Sequence, residues 1–102
     1  MASTFEVLAE PTRRQILELL RRRPRSVNEL VTELGRSQPG TSKHLRVLRD
    51  AGFVRAKQEG TRRVYEVRDA PLRELDAWLA PFRKQWAKRL DTLERHLGET
   101  EE

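Results

Sequence analysis

The sequence contains no cysteine and only two histidines, His44 and His96. Without thiols the chain can form no disulfide framework, no thiolate metal site and no thiol redox switch. Two separated histidines are a poor set of metal ligands, so we expect no metal ion and no cofactor. Neither histidine lies in a recognisable nucleophile or carboxylate motif, and there is no glycine-rich phosphate loop. The chain is therefore not expected to be an enzyme.

A signal-peptide pattern and a long uncharged apolar stretch are also missing. We therefore expect a cytoplasmic protein without membrane contact. At 102 residues, the chain suits one domain, alone or extended by a dimerisation helix. A chain this short buries a modest core, so a partner subunit would add stability.

Positive charge is concentrated in the first two thirds of the sequence. Residues 1–69 carry 15 Lys and Arg against 9 Asp and Glu, whereas residues 70–102 carry 6 against 7. A basic head favours a polyanionic partner such as DNA, and the C-terminal third is not expected to be the nucleic-acid surface. We therefore distinguish two parts of one domain, a head of residues 1–69 and a C-terminal helical segment of residues 70–102.

Residues 26–52 have the pattern of two short helices joined by a tight turn. Ser26 is a good N-cap with Glu29 three residues later, so the pair can form a capping box. Gly35 can take the left-handed conformation that ends a helix, and Ser37 can cap a second one. Two helices joined by a short glycine-containing turn indicate a helix-turn-helix.

The second of these helices, expected to end near Asp50, has two different faces at about 100° per residue. Thr41, Leu45 and Leu48 form its buried back. Its front and N-terminal tip carry the residues that suit the DNA major groove: Ser37, Gln38, Pro39, Ser42, Lys43 and Arg46. The alternative is an ordinary amphipathic surface helix, since most charged helix faces are merely solvated.

Two further helices precede this motif. Phe5, Val7 and Leu8 predict a short N-terminal helix, and Pro11 opens a second one with apolar residues at core spacing. The second helix ends in a basic run, residues 21–25 (RRRPR). We expect this run to complement the helix dipole and stay solvated, with phosphate contact as the alternative.

After the helix-turn-helix, the pattern changes to that of a β-hairpin over about residues 53–68. β-forming residues flank Glu59 and Gly60, which we expect to form the tight turn. The tip carries Lys57, Thr61, Arg62 and Arg63. Such a ribbon is a wing, able to hold cations against phosphates or the minor groove. Exposed hairpins also carry cations to prevent edge-to-edge aggregation, and the two roles are compatible.

Residues 71–98 form a long helical pattern with one apolar stripe. The stripe consists of Leu72, Leu75, Leu79, Phe82, Trp86, Leu90, Leu93 and Leu97, with Trp78 beside it. Pro81 predicts either a kink or a division into two helices. Because the stripe is longer than one small domain needs, we interpret it as packing on the head and on a second copy of the chain. The alternative is an intramolecular helix that completes a monomer core.

These elements predict a mainly α fold with a two-stranded β-hairpin, a winged helix-turn-helix with a long C-terminal dimerisation helix. The predicted dimer interface combines the N-terminal helix with the apolar stripe: Phe5, Leu8, Leu79, Phe82, Trp86, Leu90, Leu93 and Leu97.

Three stretches, FEVLAEPTRRQILELL, SQPGTSKHLRVLRDAGFV and EGTRRVYEV, resemble the ArsR/SmtB family of bacterial winged-helix repressors. The final segment is similar to a subgroup of that family without metal sites. The resemblance implies a homodimer that binds a two-fold operator in double-stranded DNA and represses transcription, often of its own operon. It also implies a histidine on the recognition helix. We therefore add His44 to the DNA-binding set and expect it to hydrogen-bond locally or contact the DNA backbone.

The sequence departs from the metal sensors of that family. Those carry a cysteine pair in the helix before the recognition helix, where this chain has VNELVTEL. Others carry Asp and His ligands in the C-terminal helix, where His96 is the only histidine here. Metal and thiol sensing are therefore not expected, and no effector is assigned. Our first hypothesis is a homodimeric DNA-binding repressor. The second is a winged-helix module that docks another protein through its C-terminal helix.

Overall fold

The computed structural model describes residues 3–100. The elements are α1 (Thr4–Leu8), α2 (Pro11–Arg22), β1 (Arg25–Ser26), α3 (Val27–Leu34), α4 (Gln38–Asp50), β2 (Val54–Glu59), β3 (Arg62–Val67) and α5 (Ala70–Thr100). The mainly helical fold with a small β-hairpin is confirmed. By its contacts the chain divides into two units, between Leu72 and Arg73. The first two residues of the predicted head and the last two of the C-terminal segment lie outside the described residues.

The core of the first unit is built where α1 to α4 and the sheet converge. Its fully buried large side chains are Val7, Ile16, Leu30, Leu45, Leu48, Phe53 and Val54. They come from each of the helices α1 to α4 and from the start of the hairpin, so burial of apolar surface ties these helices to the sheet.

The helix-turn-helix forms through the local signals that its sequence carries. The Glu29 backbone N–H donates to Ser26 Oγ at 3.2 Å, and the Ser26 N–H donates to Glu29 Oε1 at 3.2 Å, which confirms the capping box. Gly35 ends α3 in the left-handed conformation, with φ 63°. Ser37 Oγ then accepts from the Gly40 N–H at 3.2 Å and caps α4. The predicted start and end of α3 and the predicted start of α4 are therefore confirmed.

Within residues 3–100 the sheet has three strands in the order β1-β3-β2, one more than predicted. Ser26 lies opposite Val64, so a two-residue strand adds to the hairpin. It was not predicted because two residues show no periodicity. The expectation that residues 21–25 stay solvated is wrong for Arg25, which pairs with β3 and is buried. The turn is also one residue later than expected, at Gly60 and Thr61, with Gly60 at φ 62°.

Ala70–Thr100 of the C-terminal segment form a single helix, α5, which continues through Pro81. The alternative of two separate helices is therefore wrong. Proline removes one backbone hydrogen bond, and the helical bonds on either side of it suffice to continue the helix. No helix within residues 3–100 is long and apolar enough to cross a membrane.

Candidate nucleic-acid interface and self-association surface

One face of α4 is fixed in the core. Thr41, Leu45 and Leu48 are buried there, as predicted. The Thr41 hydroxyl donates to the Ser37 carbonyl at 2.9 Å, so the polar group on this face has a partner. With the back of the helix anchored in this way, the opposite face is held toward solvent.

The outer face of α4 carries two cationic side chains without hydrogen bonds or ion pairs to the rest of the described chain. Lys43 and Arg46 are exposed, and neither forms a hydrogen bond or ion pair within residues 3–100. Gln38 and Pro39 are exposed in the first turn beside the Ser37 cap, and Ser42 is half-buried. The structure therefore brings these predicted residues together on one helix, with two cations free to bind a ligand.

His44 occupies a different environment from its neighbours on α4. It is half-buried, and burial lowers its pKa below the ordinary value. Glu10, at the start of α2, acts in the opposite direction, whereas Arg13 lowers the pKa further. The neutral imidazole is therefore favoured at neutral pH, which makes His44 a hydrogen-bonding group rather than a cation. Across residues 3–100 no three His, Asp or Glu side chains are grouped to hold a metal ion.

The wing carries its cations on both faces of the ribbon. In the β2–β3 pairing, Lys57 lies opposite Val64, and Gln58 lies opposite Arg63. Because side chains alternate along a strand, Arg62 and Arg63 point to opposite faces. Lys57, Thr61 and both arginines are exposed. The four predicted wing residues are thus on the same hairpin, but they do not form one surface.

Arg62 is engaged by a residue that sequence reasoning assigned only to capping. Its Nη2 pairs with Glu29 Oε1, while Arg23 Nη1 lies 2.9 Å from Glu29 Oε2. Hydrogen bonds from Arg23 and from Ser26 lower the pKa of Glu29 to about 2. The capping-box spacing identified Glu29, but no local signal could have predicted its pairing with a residue 33 positions away.

A row of large apolar side chains is exposed along α5. Trp86, Leu90, Leu93 and Leu97 are each about half exposed, and Phe82 is 40% exposed. The Phe82 ring lies 4.9 Å from Trp78 and 6.4 Å from Trp86, between ring centroids. Of the other predicted interface residues, Phe5 is exposed, and Leu8 and Leu79 are half-buried. A continuous apolar surface of this kind is typical of a protein interface.

The fold and its cationic surface define a class of protein. The second helix of the helix-turn-helix carries cations without protein partners among residues 3–100, and a hairpin with a cationic tip follows it. This is the arrangement of a winged helix-turn-helix of the DNA-binding type.

Comparison with known proteins assigns the family. Residues 10–56 match the family described as "Bacterial regulatory protein, arsR family". The chain is 40% identical over 86 residues to the HTH-type transcriptional regulator Rv2034 of Mycobacterium tuberculosis, which covers 84% of this chain and 78% of that protein. It is 36% identical over 101 residues to a probable mercury resistance operon repressor of Streptomyces lividans, covering 99% of this chain and 81% of that one.

A solved structure agrees with these relatives. It is the homodimeric winged helix-turn-helix DNA-binding domain Mb0332 of Mycobacterium bovis, a possible ArsR-family transcriptional regulator. It superposes with a TM-score of 0.65 at 30% identity, over 80% of this chain and 76% of that one. The chain belongs to the ArsR family of bacterial transcriptional regulators.

Proposed function

We propose that this protein is a homodimeric, sequence-specific DNA-binding repressor that acts on the promoter of its own operon. In this proposal, α4 enters the major groove with Ser37, Gln38, Pro39, Ser42, Lys43 and Arg46, and His44 bonds near the DNA backbone. The wing, with Lys57, Thr61, Arg62 and Arg63, lies over the adjacent backbone or minor groove.

The observation that carries the proposal is the state of the α4 cations. Lys43 and Arg46 are exposed without a protein partner within residues 3–100, while the opposite face of the same helix is buried. The net positive charge of the chain is concentrated in residues 1–69, the part that contains the helix-turn-helix. An anion is the ligand that such a face attracts, and the spaced base edges of the major groove accept hydrogen bonds from its Lys and Arg side chains.

Self-association is proposed from the apolar surfaces. Formation of a dimer would remove from water the exposed apolar row on α5 and the exposed Phe5 on α1. The first unit also contains an open cavity of about 220 Å³, which a second copy would help to close. Its lining combines apolar and charged residues: Leu8, Leu17, Val67 and Leu72 with Arg14, Glu18 and Arg21. In a two-fold dimer, the two recognition helices would lie about 34–36 Å apart, one DNA turn.

Repression and autoregulation are proposed because the chain is similar to ArsR-family regulators. The Streptomyces relative is named a probable operon repressor. A dimer that covers a promoter excludes polymerase without further chemistry.

The test is fluorescence anisotropy with duplexes that tile the region upstream of the protein's own gene, against scrambled duplexes of the same composition. We expect one tile to bind about 10³-fold or more tightly than its scrambled form, which is the lower end for specific regulators. Lys43→Ala with Arg46→Ala should abolish that preference.

Lys84→Ala with Lys88→Ala is the matched control, because it removes the same charge from α5 outside the proposed surface. If the α4 variant weakens binding no more than this control, α4 is not the recognition helix. A wild-type protein that prefers no tile over scrambled DNA, and that stays monomeric, would instead favour a winged-helix module that docks another protein.

A further inference from the structure

The two arginines at the start of β3 have different surroundings. Arg62 shares its face of the sheet with Val64, and through the β1–β3 pairing with Ser26, the residue that caps α3. Arg63 lies on the opposite face, beside Gln58, and has no hydrogen bond or ion pair within residues 3–100. One arginine therefore faces the start of α3, and its neighbour is available to an outside ligand.

Glu29 is held in place independently of Arg62. Its carboxylate accepts from the Ser26 N–H and from Ser26 Oγ, each at 3.2 Å, and from Arg23 Nη1 at 2.9 Å. Its side chain is 29% exposed, less than either arginine that it binds. A carboxylate fixed by the first turn of a helix loses little conformational entropy when it binds one more cation, so it is a rigid anchor for Arg62.

The wing needs such an anchor beyond the third strand. Among the residues that the structure describes, β1 pairs only with Val64 and Tyr65, so from Arg63 to the turn the ribbon consists of two strands. An isolated two-stranded ribbon is marginally stable in water. Arg62 is the residue in this two-stranded part whose ion pair reaches α3.

We propose that Arg62 is a positioning residue, whose ion pair with Glu29 holds the tip of the wing against the start of α3 and leaves phosphate contact at the tip to Arg63. This inference rests on the proposed DNA-binding function and assigns separate tasks to adjacent arginines. Glu29 acts through Arg62 and does not touch DNA.

Glu29→Gln provides the sharpest test, because two explanations predict opposite results. If Glu29 only competed with DNA for Arg62, removing its negative charge would strengthen operator binding. If the ion pair positions the wing, the same change weakens binding, and we expect a loss of about three- to tenfold per dimer. Gln at this position can still accept in the capping box, so α3 keeps its start.

The arginine variants separate positioning from phosphate contact. Arg62→Gln should weaken operator binding as much as Glu29→Gln does, and the double variant should be no weaker than either single one. The salt dependence of operator binding by Arg62→Gln should match that of the wild type. Arg63→Gln, the matched control, should lower the slope of log K against log salt by about two units per dimer, one for each lost phosphate contact. Arg62→Lys, which keeps the ion pair, should bind within about twofold of the wild type.

A measurement on the free protein tests the inference apart from DNA binding. Backbone ¹⁵N heteronuclear NOE values for residues 58–63 should fall in Arg62→Gln and Glu29→Gln, and should stay unchanged in Arg63→Gln. Failure of the wild type to bind DNA would contradict the proposed function and leave this measurement valid. The inference is overturned if the NOE values do not fall, if Glu29→Gln tightens binding, or if Arg62→Gln lowers the salt slope as Arg63→Gln does.

Discussion

Arg25 places its Nη1 3.1 Å from Glu33 Oε1, which joins the short strand β1 to the last turn of α3. The Arg25 Nε also donates to the Leu19 carbonyl at 3.2 Å, near the end of α2. The Arg25 side chain is 8% exposed, whereas that of Glu33 is 48% exposed. A single buried arginine therefore ties α2 and α3 to the sheet.

This asymmetry in burial leads to the first prediction. Arg25→Ala should lower the free energy of unfolding by about 1–3 kcal/mol, because it leaves a helix carbonyl without its partner. Glu33→Gln should cost less than about 1 kcal/mol, since the amide oxygen still accepts and water reaches it. Urea unfolding at neutral pH measures both, with the exposed Arg22→Ala as a control near zero. Equal losses for Arg25→Ala and Glu33→Gln would show that the ion pair with Glu33, and not the hydrogen bond to the Leu19 carbonyl, accounts for most of the stabilisation by Arg25.

The second prediction concerns acid stability. The folded-state pKa of Glu29 is lowered to about 2 from an ordinary value of 4.5. A lowered carboxyl pKa stabilises the folded state fully above about pH 4.5, and this contribution is lost as the pH falls toward 2. Thermal melts of Glu29→Gln should therefore depend less on pH between 4.5 and 2 than those of the wild type.

Part of the acid dependence should survive in that variant. The Thr12 backbone N–H lowers the pKa of Glu10, and Arg21 lowers that of Glu18, so both still contribute. Glu94→Gln, on α5, is the control with the same chemical change. If Glu29→Gln and the wild type lose stability in parallel across this range, the carboxylate is not held as the structure shows.

The helix-turn-helix was predictable because its boundaries depend on neighbours in sequence. Ser26 and Glu29 are three residues apart, and Ser37 caps a turn that begins with the next residue. Gly35 supplies a backbone conformation that few other residues adopt. Each of these signals acts within one turn of a helix, so a single sequence suffices to find it.

The relations that were missed join residues far apart in sequence. β1 has two residues and no alternation, and only its pairing with β3 defines it as a strand. Arg25 lies in a run of arginines that resembles a solvated helix end, and its burial follows from that pairing. The contact of Arg62 with Glu29 likewise depends on where the hairpin lies, so the cationic tip could be predicted but not the separate roles of its arginines.

The third prediction tests self-association. Leu90→Glu with Leu93→Glu should convert the dimer to a monomer at micromolar concentration, because it puts charge into the apolar row on α5. Operator binding should be lost together with the dimer, since one subunit reaches only one half-site. Sedimentation velocity gives the oligomeric state. Ala87→Glu with Thr92→Glu adds the same charge to α5 outside the apolar row and should leave the dimer intact. A wild-type monomer, with or without DNA, would contradict the prediction.

The fourth prediction is that metals do not regulate DNA binding. The chain has no cysteine and two histidines, so it lacks the soft thiolate ligands that select mercury, cadmium or arsenite. Zinc, nickel, cadmium, mercury and arsenite should leave operator affinity unchanged in anisotropy titrations. A site between subunits, built from His96 and nearby carboxylates, is the one arrangement that could defeat this prediction. Stoichiometric tight zinc binding that weakens the DNA complex, and that His96→Ala abolishes, would reveal it.

The last prediction separates sequence reading from electrostatic attraction on α4. A cation that reads a base loses discrimination when it is truncated, by about 1–3 kcal/mol for a good bidentate contact. A cation that binds phosphate weakens operator and scrambled DNA alike and lowers the salt slope. We expect at least one of Lys43→Ala and Arg46→Ala to narrow the ratio of operator to scrambled affinity about tenfold or more.

Arg63→Ala on the wing is the control for this experiment, since it should change the salt slope and leave that ratio within about twofold. The measurement is the affinity of each variant for operator and scrambled duplexes across a salt series. If Lys43→Ala and Arg46→Ala both preserve the ratio while Arg63→Ala reduces it, the wing reads the sequence. In that case the cations of α4 bind the DNA backbone and do not contact bases.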